Sequence, residues 1–297
     1  MRESFNIKDK SFAVYGLGIT GKSVVKFLKK NKAAKISMWD DFLTQSNLTQ
    51  MNKFKTNLNI FDYIVLSPGI NIKNSKFKKT LLKNKKKIIT DLDIFYTNYS
   101  KNKIIAITGT NGKSTTAKLL NLILNNHKYD SRLCGNIGNP VLFEKNISSE
   151  TIFVIEVSSY QIEYSKMFKS NYAIILNISP DHLERHKSIK NYIKVKSKIF
   201  LAQSSSDYSY INKSNKHYKF IKSWYKKKQI KSHLNEIKKY ESRDILKKIK
   251  NKYFESGGNI ENLNFAYKIS KNLKINDQII LKAINNFIGL PHRQETV

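Results

Sequence analysis

Length, composition and charge already exclude several classes of protein. The chain has 297 residues, 40% of them hydrophobic and 11% aromatic, so it can form two folded domains and is not a collagen, a coiled coil or a disordered chain. No apolar run approaches the roughly 18 residues that a membrane helix needs, and residues 1–12 lack the apolar core of a signal peptide. Cys134 is alone, which excludes an internal disulfide. We expect a soluble, cytoplasmic monomer without membrane insertion.

The formal net charge of +32 has two interpretations. Such an excess is typical of proteins that bind nucleic acid or an anionic surface. However, only five of the 54 basic residues are arginines, the residue type that makes bidentate hydrogen bonds to phosphates and bases. We therefore favour a solvated lysine-rich surface and expect no nucleic-acid partner, although a phosphate-rich substrate would also be attracted by this field.

The first part of the chain alternates strand and helix signals. Short apolar runs predict strands at 11–15, 35–39, 62–66 and 88–89, and a helical pattern lies around Val24, Val25, Phe27 and Leu28. This order is typical of an open parallel sheet. We predict an α/β fold in which residues 1–95 form a Rossmann-like, parallel-sheet domain.

A second α/β unit is predicted for residues 96–290. Its expected strands are 104–108, 151–157 and 172–178, and its expected helices are 115–124, 262–271 and 277–287. Residues 204–252 are rich in Lys and Ser, and their strand signals are weak. We interpret that stretch as a peripheral, variable part of the second domain.

A glycine-rich loop follows the first predicted strand. Residues 16–21 read Gly-Leu-Gly-Ile-Thr-Gly, the G-x-G-x-x-G pattern whose glycines let the backbone approach a pyrophosphate at a helix N-terminus. Asp40 and Asp41 follow the second strand, the position at which an acidic residue usually hydrogen-bonds the ribose of a bound nucleotide. The pattern indicates a nucleotide-diphosphate site, and both NAD and a UDP-sugar would fit it.

A second phosphate loop follows the strand 104–108 and is more specific. It predicts ATP binding by Gly109, Thr110, Asn111, Gly112, Lys113, Ser114 and Thr115. Backbone N–H groups there can cradle phosphate, Lys113 can neutralise its charge, and Ser114 can hold Mg²⁺. Only two residues separate the two glycines, where the usual P-loop has four. We assign residues 96–290 to a P-loop ATPase-like central domain on this motif.

The shorter loop occurs in the Mur ligases and folylpolyglutamate synthetases, and other segments extend this likeness. They are residues 67–70 (Ser-Pro-Gly-Ile), 135–138 (Gly-Asn-Ile-Gly), 156–161 (Glu-Val-Ser-Ser-Tyr-Gln), 177–183 (Asn-Ile-Ser-Pro-Asp-His-Leu) and 289–293 (Gly-Leu-Pro-His-Arg). Through these segments and residues 16–21, the chain resembles the Mur ligase family. The segments 135–138 and 156–161 favour its D-glutamate-adding members.

The resemblance implies an ATP-dependent ligase of peptidoglycan precursor synthesis. Its partners would be ATP, D-glutamate and UDP-N-acetylmuramoyl-L-alanine, whose carboxylate is activated as an acyl phosphate. Catalysis is assigned to Lys113, Glu156, His182 and Lys196. Mg²⁺ would occupy two sites, with Ser114, Glu156, His182 and a carbamylated Lys196 as ligands. Without the resemblance, Lys194, Lys196 and Lys198 read as one basic solvated helix face, and His186 as a structural histidine.

The resemblance also implies binding residues outside the phosphate loop. Thr20, Asp40, Ser67, Gly69 and Asn136 would contact the UDP-linked substrate, and Asn262 and Arg293 would contact ATP. Two departures weaken parts of this assignment. Asp-Asp-Phe at 40–42 replaces a run such as Asp-Thr-Arg, and the segment around Asn262 lacks the family's histidine.

Members of the family continue past the Gly-Leu-Pro-His-Arg motif into a third domain that carries the D-glutamate pocket. We expect residues 291–297 to be the start of that domain and the chain to be a fragment of an active ligase. The alternative is a truncated, inactive module that binds a UDP-sugar and ATP. An NAD-dependent oxidoreductase would rest on the first loop alone and would leave the second unexplained.

Overall fold

The computed structural model describes residues 5–42, 58–238 and 243–290, which fall into two compact units. The first unit contains Met1–Ser100, Asn139–Lys145 and Tyr160–Phe168, and the second contains Lys101–Gly138, Asn146–Ser159 and Lys169–Val297. Each unit is built on a parallel sheet, which confirms the predicted α/β class. The domain boundaries at 95/96 and 290/291 stay predictions. None of the helices within the described ranges is long and apolar enough to cross a membrane.

The first unit has a four-stranded sheet in the order β2-β1-β3-β4. Its elements are β1 (Ser11–Tyr15), α1 (Ile19–Lys30), β2 (Lys35–Trp39), β3 (Tyr63–Leu66), α2 (Lys78–Lys83), β4 (Ile88–Ile89) and α3 (Asp91–Tyr99). Phe12, Ala13 and Val14 of the central strand β1 are fully buried, because a parallel sheet is covered on both faces. The parallel register brings the glycine loop 16–21 and the ends of β2 and β3 to one edge.

The second unit has a six-stranded parallel sheet in the order β10-β9-β8-β5-β7-β6. Along the chain run β5 (Lys103–Thr108), α4 (Lys113–Asn126), β6 (Ser131–Gly135), β7 (Ile152–Glu156), α5 (Ser159–Tyr164), β8 (Tyr172–Ile175), α6 (Leu183–His186), α7 (Ile189–Ser197), β9 (Tyr208–Asn212), α8 (Tyr218–Lys227), β10 (His233–Ile237), α9 (Arg243–Leu246), α10 (Gly257–Asn272) and α11 (Asp277–Asn285). Short 3-10 helices lie at Ile7–Asp9, Leu58–Ile60, Ile72–Asn74, Lys85–Lys87, Val141–Phe143, Lys198–Phe200 and Lys252–Phe254.

The core of the second unit fixes the phosphate loop. Helix α4 packs its apolar stripe, which includes Leu120 and Leu124, against β5, β7, α10 and α11. The loop 109–112 joins β5 to α4 and therefore lies at the carboxyl edge of the sheet. In parallel α/β sheets this edge is where ligands bind.

Residues 204–252 differ from their predicted peripheral role. They supply β9, which pairs with the buried strand β8, and β10 at the edge. Their strand signal is weak because some inward side chains are polar. Ser209 is fully buried and its hydroxyl bonds Gln203 Oε1 and, at 2.9 Å, Ser232 Oγ. Strand β6 was not predicted either, and β8 ends at Ile175 rather than residue 178.

Candidate active site

The phosphate loop turns sharply between β5 and α4. Gly109 has φ +157° and Gly112 has φ +79°, backbone conformations that favour glycine. Helix α4 begins at Lys113, so its first N–H groups and the positive end of its dipole face the loop. The structure therefore gives residues 109–113 the shape of an anion cradle.

A second segment, outside the loop, holds it in place. The Thr110 N–H donates to the Asn177 carbonyl oxygen at 2.9 Å, and the Asn111 N–H donates to Asn177 Oδ1 at 2.8 Å. The Asn177 amide returns a bond to the Asn111 carbonyl, and the Ser179 N–H donates to Thr110 Oγ1 at 3.0 Å. Sequence reasoning gave Asn177 no role, although residues 177–183 were part of the resemblance. The signal that could have identified it is an Asn near the carboxyl end of a predicted buried strand, at the edge of the sheet where the loop lies.

Glu156 ends β7 beside the loop, with 2% of its surface exposed. Its carboxylate accepts two hydrogen bonds, from Ser114 Oγ at 2.7 Å and from Asn136 Nδ2 at 2.9 Å. Gly135, with φ +106°, lets β6 approach, because a side chain there would meet the Glu156 carbonyl oxygen. Three predicted site residues, one on α4, one at the end of β7 and one directly after β6, are thus brought together.

A cavity of about 650 Å³ is lined by Ser114, Asn136 and Glu156, together with residues 110–113, Ile137 and Leu290. Lys113 Nζ donates to the carbonyl oxygen of Thr110, a residue of its own loop, at 2.7 Å. A bound phosphate would offer this ammonium a stronger, charge-assisted partner. The cavity therefore combines a cation, a helix N-terminus and a carboxylate.

Ser114 and Glu156 fit a divalent cation by the chemistry of their donors. A hydroxyl and a carboxylate oxygen are the hard ligands that Mg²⁺ prefers. Among the described residues there is no group of three His, Cys, Asp or Glu side chains that could hold a metal ion. Mg²⁺ usually takes one or two carboxylates together with substrate phosphates and water. The donor chemistry of the pair therefore fits such a site.

Lys196 lies behind the phosphate loop and is 2% exposed. Its Nζ donates to the Gly109 carbonyl oxygen at 2.8 Å and to Thr108 Oγ1 at 3.2 Å, and it lies 4.8 Å from the centre of the Tyr192 ring. Burial, aided by the nearby positive charge of Lys113, lowers the pKa of the Lys196 ammonium to about 7. The structure thus separates Lys196 from Lys194, which is exposed, and from the half-buried Lys198.

His182 stands at the start of α6 with its side chain 44% exposed. Its ring nitrogens lie 3.4 Å from an Asp181 oxygen and 3.7 Å from a Glu184 oxygen. Its ring centre is 6.5 Å from that of Tyr192, the ring that also faces Lys196. His186 is buried, and its Nε2 lies 3.1 Å from Ser159 Oγ, which fits a structural histidine.

The remaining predicted ATP residues lie around the same loop. Asn262 of α10 is buried, with its amide directly over Gly112, where any side chain would collide with it. Thr115 is buried on α4, and its Oγ1 lies 3.4 Å from Tyr253 Oη. Arg293 lies outside the described residues.

The glycine loop of the first unit is closely packed. Gly16 has φ +93°, and its carbonyl oxygen accepts a 2.6 Å hydrogen bond from Ser67 Oγ. A Cβ on Gly21 would stand only 1.8 Å from that same carbonyl oxygen. Thr20 is half-buried on the first turn of α1, and Gly69 is exposed beyond β3. The structure therefore brings Ser67 and the loop together.

The two acids after β2 have different partners. The Asp40 carboxylate accepts from the Leu17 N–H of the glycine loop and from the Phe42 N–H. Asp41 accepts from Tyr15 Oη at 2.6 Å and from Trp39 Nε1 at 3.0 Å. Burial and the Asp41 bond raise the pKa of the Tyr15 phenol to about 12. Asp40 thus faces the loop, whereas Asp41 anchors the end of β2.

Gly21→Ala is expected to lower the free energy of unfolding by about 1–3 kcal/mol, because the added methyl group overlaps a backbone oxygen. Gly18→Ala is the matched control, since no atom lies within 4 Å of its added Cβ. Urea unfolding followed by circular dichroism compares the two variants. Equal stability of both would contradict the packing described for this loop.

Comparisons with known proteins agree with this arrangement. Residues 107–281 match the Mur ligase middle domain, and residues 10–90 match the MurD-like N-terminal domain of Mur ligases. The UDP-N-acetylmuramoylalanine--D-glutamate ligase of Rickettsia felis is 32% identical over 97% of this chain and 68% of its own length. The same enzyme of Rickettsia prowazekii is 33% identical over 98% of this chain and 69% of its own length.

A solved structure shares the fold at low identity. The UDP-N-acetylmuramate:L-alanyl-gamma-D-glutamyl-meso-diaminopimelate ligase from Neisseria meningitides aligns with a TM-score of 0.63 and 12% identity. The alignment covers 95% of this chain and 99% of that one. The family matches cover both units and include the loop residues described above. The chain therefore belongs to the Mur ligase family of ATP-dependent, amide-forming enzymes, and it is of the MurD-like type.

Proposed function

We propose that the chain belongs to a ligase that joins D-glutamate to UDP-N-acetylmuramoyl-L-alanine at the expense of ATP. The observation that carries this proposal is the cavity in which Lys113 and Ser114 stand beside the buried Glu156 carboxylate. The glycine loop closed by Asp40 and Ser67 supports a separate site for the UDP moiety. The names of the two Rickettsia relatives, UDP-N-acetylmuramoylalanine--D-glutamate ligases, support this choice of substrates.

ATP would bind with its phosphates on the loop 109–113. The N–H groups at the α4 N-terminus would donate to the phosphate oxygens, whereas those of Thr110 and Asn111 stay bonded to Asn177. Lys113 would exchange its bond to Thr110 for one to phosphate. Asn177 would keep the loop in shape without touching the nucleotide. The protein's task is to orient the γ-phosphate and neutralise its charge.

Ser114 and Glu156 would hold Mg²⁺ between the protein and these phosphates. The ion would supply charge neutralisation for phosphoryl transfer. Asn136 donates to the second Glu156 oxygen and would keep the carboxylate aimed at the cavity. A second ion is proposed near Lys196 and His182, with Lys196 carbamylated so that it offers oxygen instead of an ammonium. A carbamate oxygen is a hard ligand of the kind that suits this ion.

The proposed chemistry has two steps. The carboxylate of UDP-N-acetylmuramoyl-L-alanine attacks the γ-phosphorus of ATP, a C–O–P link forms, and the bond to ADP breaks. The amine of D-glutamate then attacks the acyl carbon, an amide bond forms, and phosphate leaves with the bonding electrons while the amine releases a proton. Both steps need positioned donors and charge neutralisation, which the α4 N-terminus, Lys113 and Ser114 would provide.

The test is a paired measurement on the 297-residue chain. Calorimetry with UDP-N-acetylmuramoyl-L-alanine and with a non-hydrolysable ATP analogue plus Mg²⁺ is expected to show binding of both. A turnover assay with ATP, Mg²⁺ and D-glutamate, L-glutamate or a diamino acid then tests the amine. Turnover by the 297-residue chain would exclude the alternative, the truncated, inactive binding module. The proposal would be overturned if the chain failed to bind one or both of the ligands.

A further inference from the structure

One wall of the phosphate cavity comes from a segment far along the chain. Among the residues that the structure describes, 110–114, Asn136, Ile137 and Glu156 form most of the lining, and Leu290 adds to it. Leu290 is buried, whereas Ile288, two residues earlier, is 83% exposed. The turn between them therefore determines whether an apolar side chain stands at the edge of the phosphate site.

The end of α11, just before this turn, is fixed by its own contacts. Asn251 Nδ2 donates to the carbonyl oxygens of Ile284 and Phe287 at 2.8 and 2.7 Å. The Phe287 ring packs 5.3 Å from the Tyr253 ring and 5.6 Å from the Phe254 ring. These contacts hold Phe287, but they do not by themselves set the direction of residues 288–290.

Gly289 sets that direction. Its φ of +80° is a left-handed conformation, and an added Cβ would lie 2.7 Å from the Tyr253 ring. Its carbonyl oxygen accepts a 2.7 Å hydrogen bond from Lys118 Nζ. Lys118 lies on α4, five residues after Lys113, or about 7.5 Å along the helix. The phosphate loop and the turn are therefore joined through one rigid helix.

We propose that Lys118 is a positioning residue for the nucleotide site, which holds the turn 288–290 on α4 so that Leu290 closes the phosphate cavity. The inference rests on the proposed binding of ATP to the loop 109–113. Lys118 is not among the residues lining the cavity and gives its hydrogen bond to the turn. Its effect on the nucleotide is therefore exerted through the position of Leu290.

The test is a double-mutant cycle read by calorimetry with a non-hydrolysable ATP analogue and Mg²⁺. Lys118→Met removes one charged donor and should weaken binding about five-fold, with a similar loss for Leu290→Ala. Because both changes open the same wall, the double variant should bind no more weakly than the weaker single variant. Lys118→Arg, which keeps a donor, should restore most of the affinity.

Lys103→Met is the matched control, since it removes an exposed lysine at the opposite, amino end of β5. It should bind the analogue normally. Gly289→Ala is a second route to the same defect and should reproduce the Lys118→Met loss. Circular dichroism melts identify any variant that is not folded, and the cycle is then completed with Gly289→Ala in place of that variant.

Two results would overturn this inference. Multiplying losses, about 25-fold in the double variant, would mean that Lys118 acts independently of Leu290, as a distant cation attracting phosphate. Unchanged affinity in folded Lys118→Met and Gly289→Ala would mean that the turn does not shape the site. If the unaltered chain does not bind the analogue, the proposed function itself fails. If the unaltered chain binds it and the variants give either of the two results above, only this inference fails.

Discussion

Replacing Lys113 by alanine is expected to weaken binding of an ATP analogue by about 10- to 100-fold, because a charge-assisted bond to phosphate is lost. Binding of UDP-N-acetylmuramoyl-L-alanine should stay unchanged. The two loops belong to different sheets, one following β1 and the other following β5. Calorimetry of both ligands on the same preparation measures the two effects side by side.

Lys103→Ala is the control for this experiment, since it removes the same charge from the same sheet at the edge away from the loop. It should leave both affinities intact. If Lys113→Ala abolished binding of the UDP-linked substrate too, the two sites would not be independent. If it left ATP-analogue binding intact, the loop 109–113 would not be the phosphate site.

The parts of the fold that could be predicted from sequence are those with local signals. β1, β5 and β7 are apolar runs because both faces of a parallel sheet are covered, and the two glycine loops mark where strand passes to helix. β6 lacks such a signal because its sequence, Ser-Arg-Leu-Cys-Gly, is half polar. It becomes a strand by pairing with β7 along its whole length.

Long-range features had no signal that local reasoning could detect. Residues 160–168 follow β7 of the second unit but cluster with the first unit. Their anchor is the buried carboxylate of Asp93, which accepts hydrogen bonds from Ser165 Oγ and from the N–H groups of residues 166–168. Asp93 also accepts from the Thr90 N–H at the start of α3. In sequence it reads as an ordinary acid in the first turn of a helix.

The residues of the candidate site likewise fall into those with a local sequence signal and those that only the fold brings together. The phosphate-loop residues could be predicted because their spacing is fixed by the turn they form. Lys118 and Leu290 could not be, since nothing in the sequence links a helix lysine to a turn so far away. Asn262 was assigned to ATP by resemblance, and the structure places its amide against Gly112 of the phosphate loop. Its expected contact with the nucleotide stays a prediction.

Lys196 illustrates how tertiary context selects one residue among similar ones. Lys194, Lys196 and Lys198 lie within five residues of one another and share one chemistry in sequence. The fold exposes Lys194 and buries Lys196 under the Gly109 carbonyl. Burial lowers the pKa of Lys196 to about 7, so much of its amine is neutral at neutral pH.

A neutral, buried amine is the form that can react with CO₂. The nitrogen attacks the carbon, an N–C bond forms, one proton is released, and the product is an anionic carbamate. We therefore expect a carbamate signal in ¹³C NMR of the chain equilibrated with ¹³C-labelled bicarbonate near pH 7–8. Lys196→Ala should lose this signal, and Lys194→Ala and Lys198→Ala should keep it.

Made in the complete ligase to which we propose the chain belongs, the same three variants are expected to differ in ligation. Lys196→Ala should lower the ligation rate more than about ten-fold, because it removes an anionic oxygen ligand from the proposed second Mg²⁺ site. Short-chain carboxylic acids should restore part of the rate of Lys196→Ala, since they can return an oxygen to the space that the side chain leaves. The other two variants should be mildly affected. A carbamate signal that survives in Lys196→Ala, or equal losses of rate in all three variants with no rescue by any small acid, would contradict the carbamylation of Lys196.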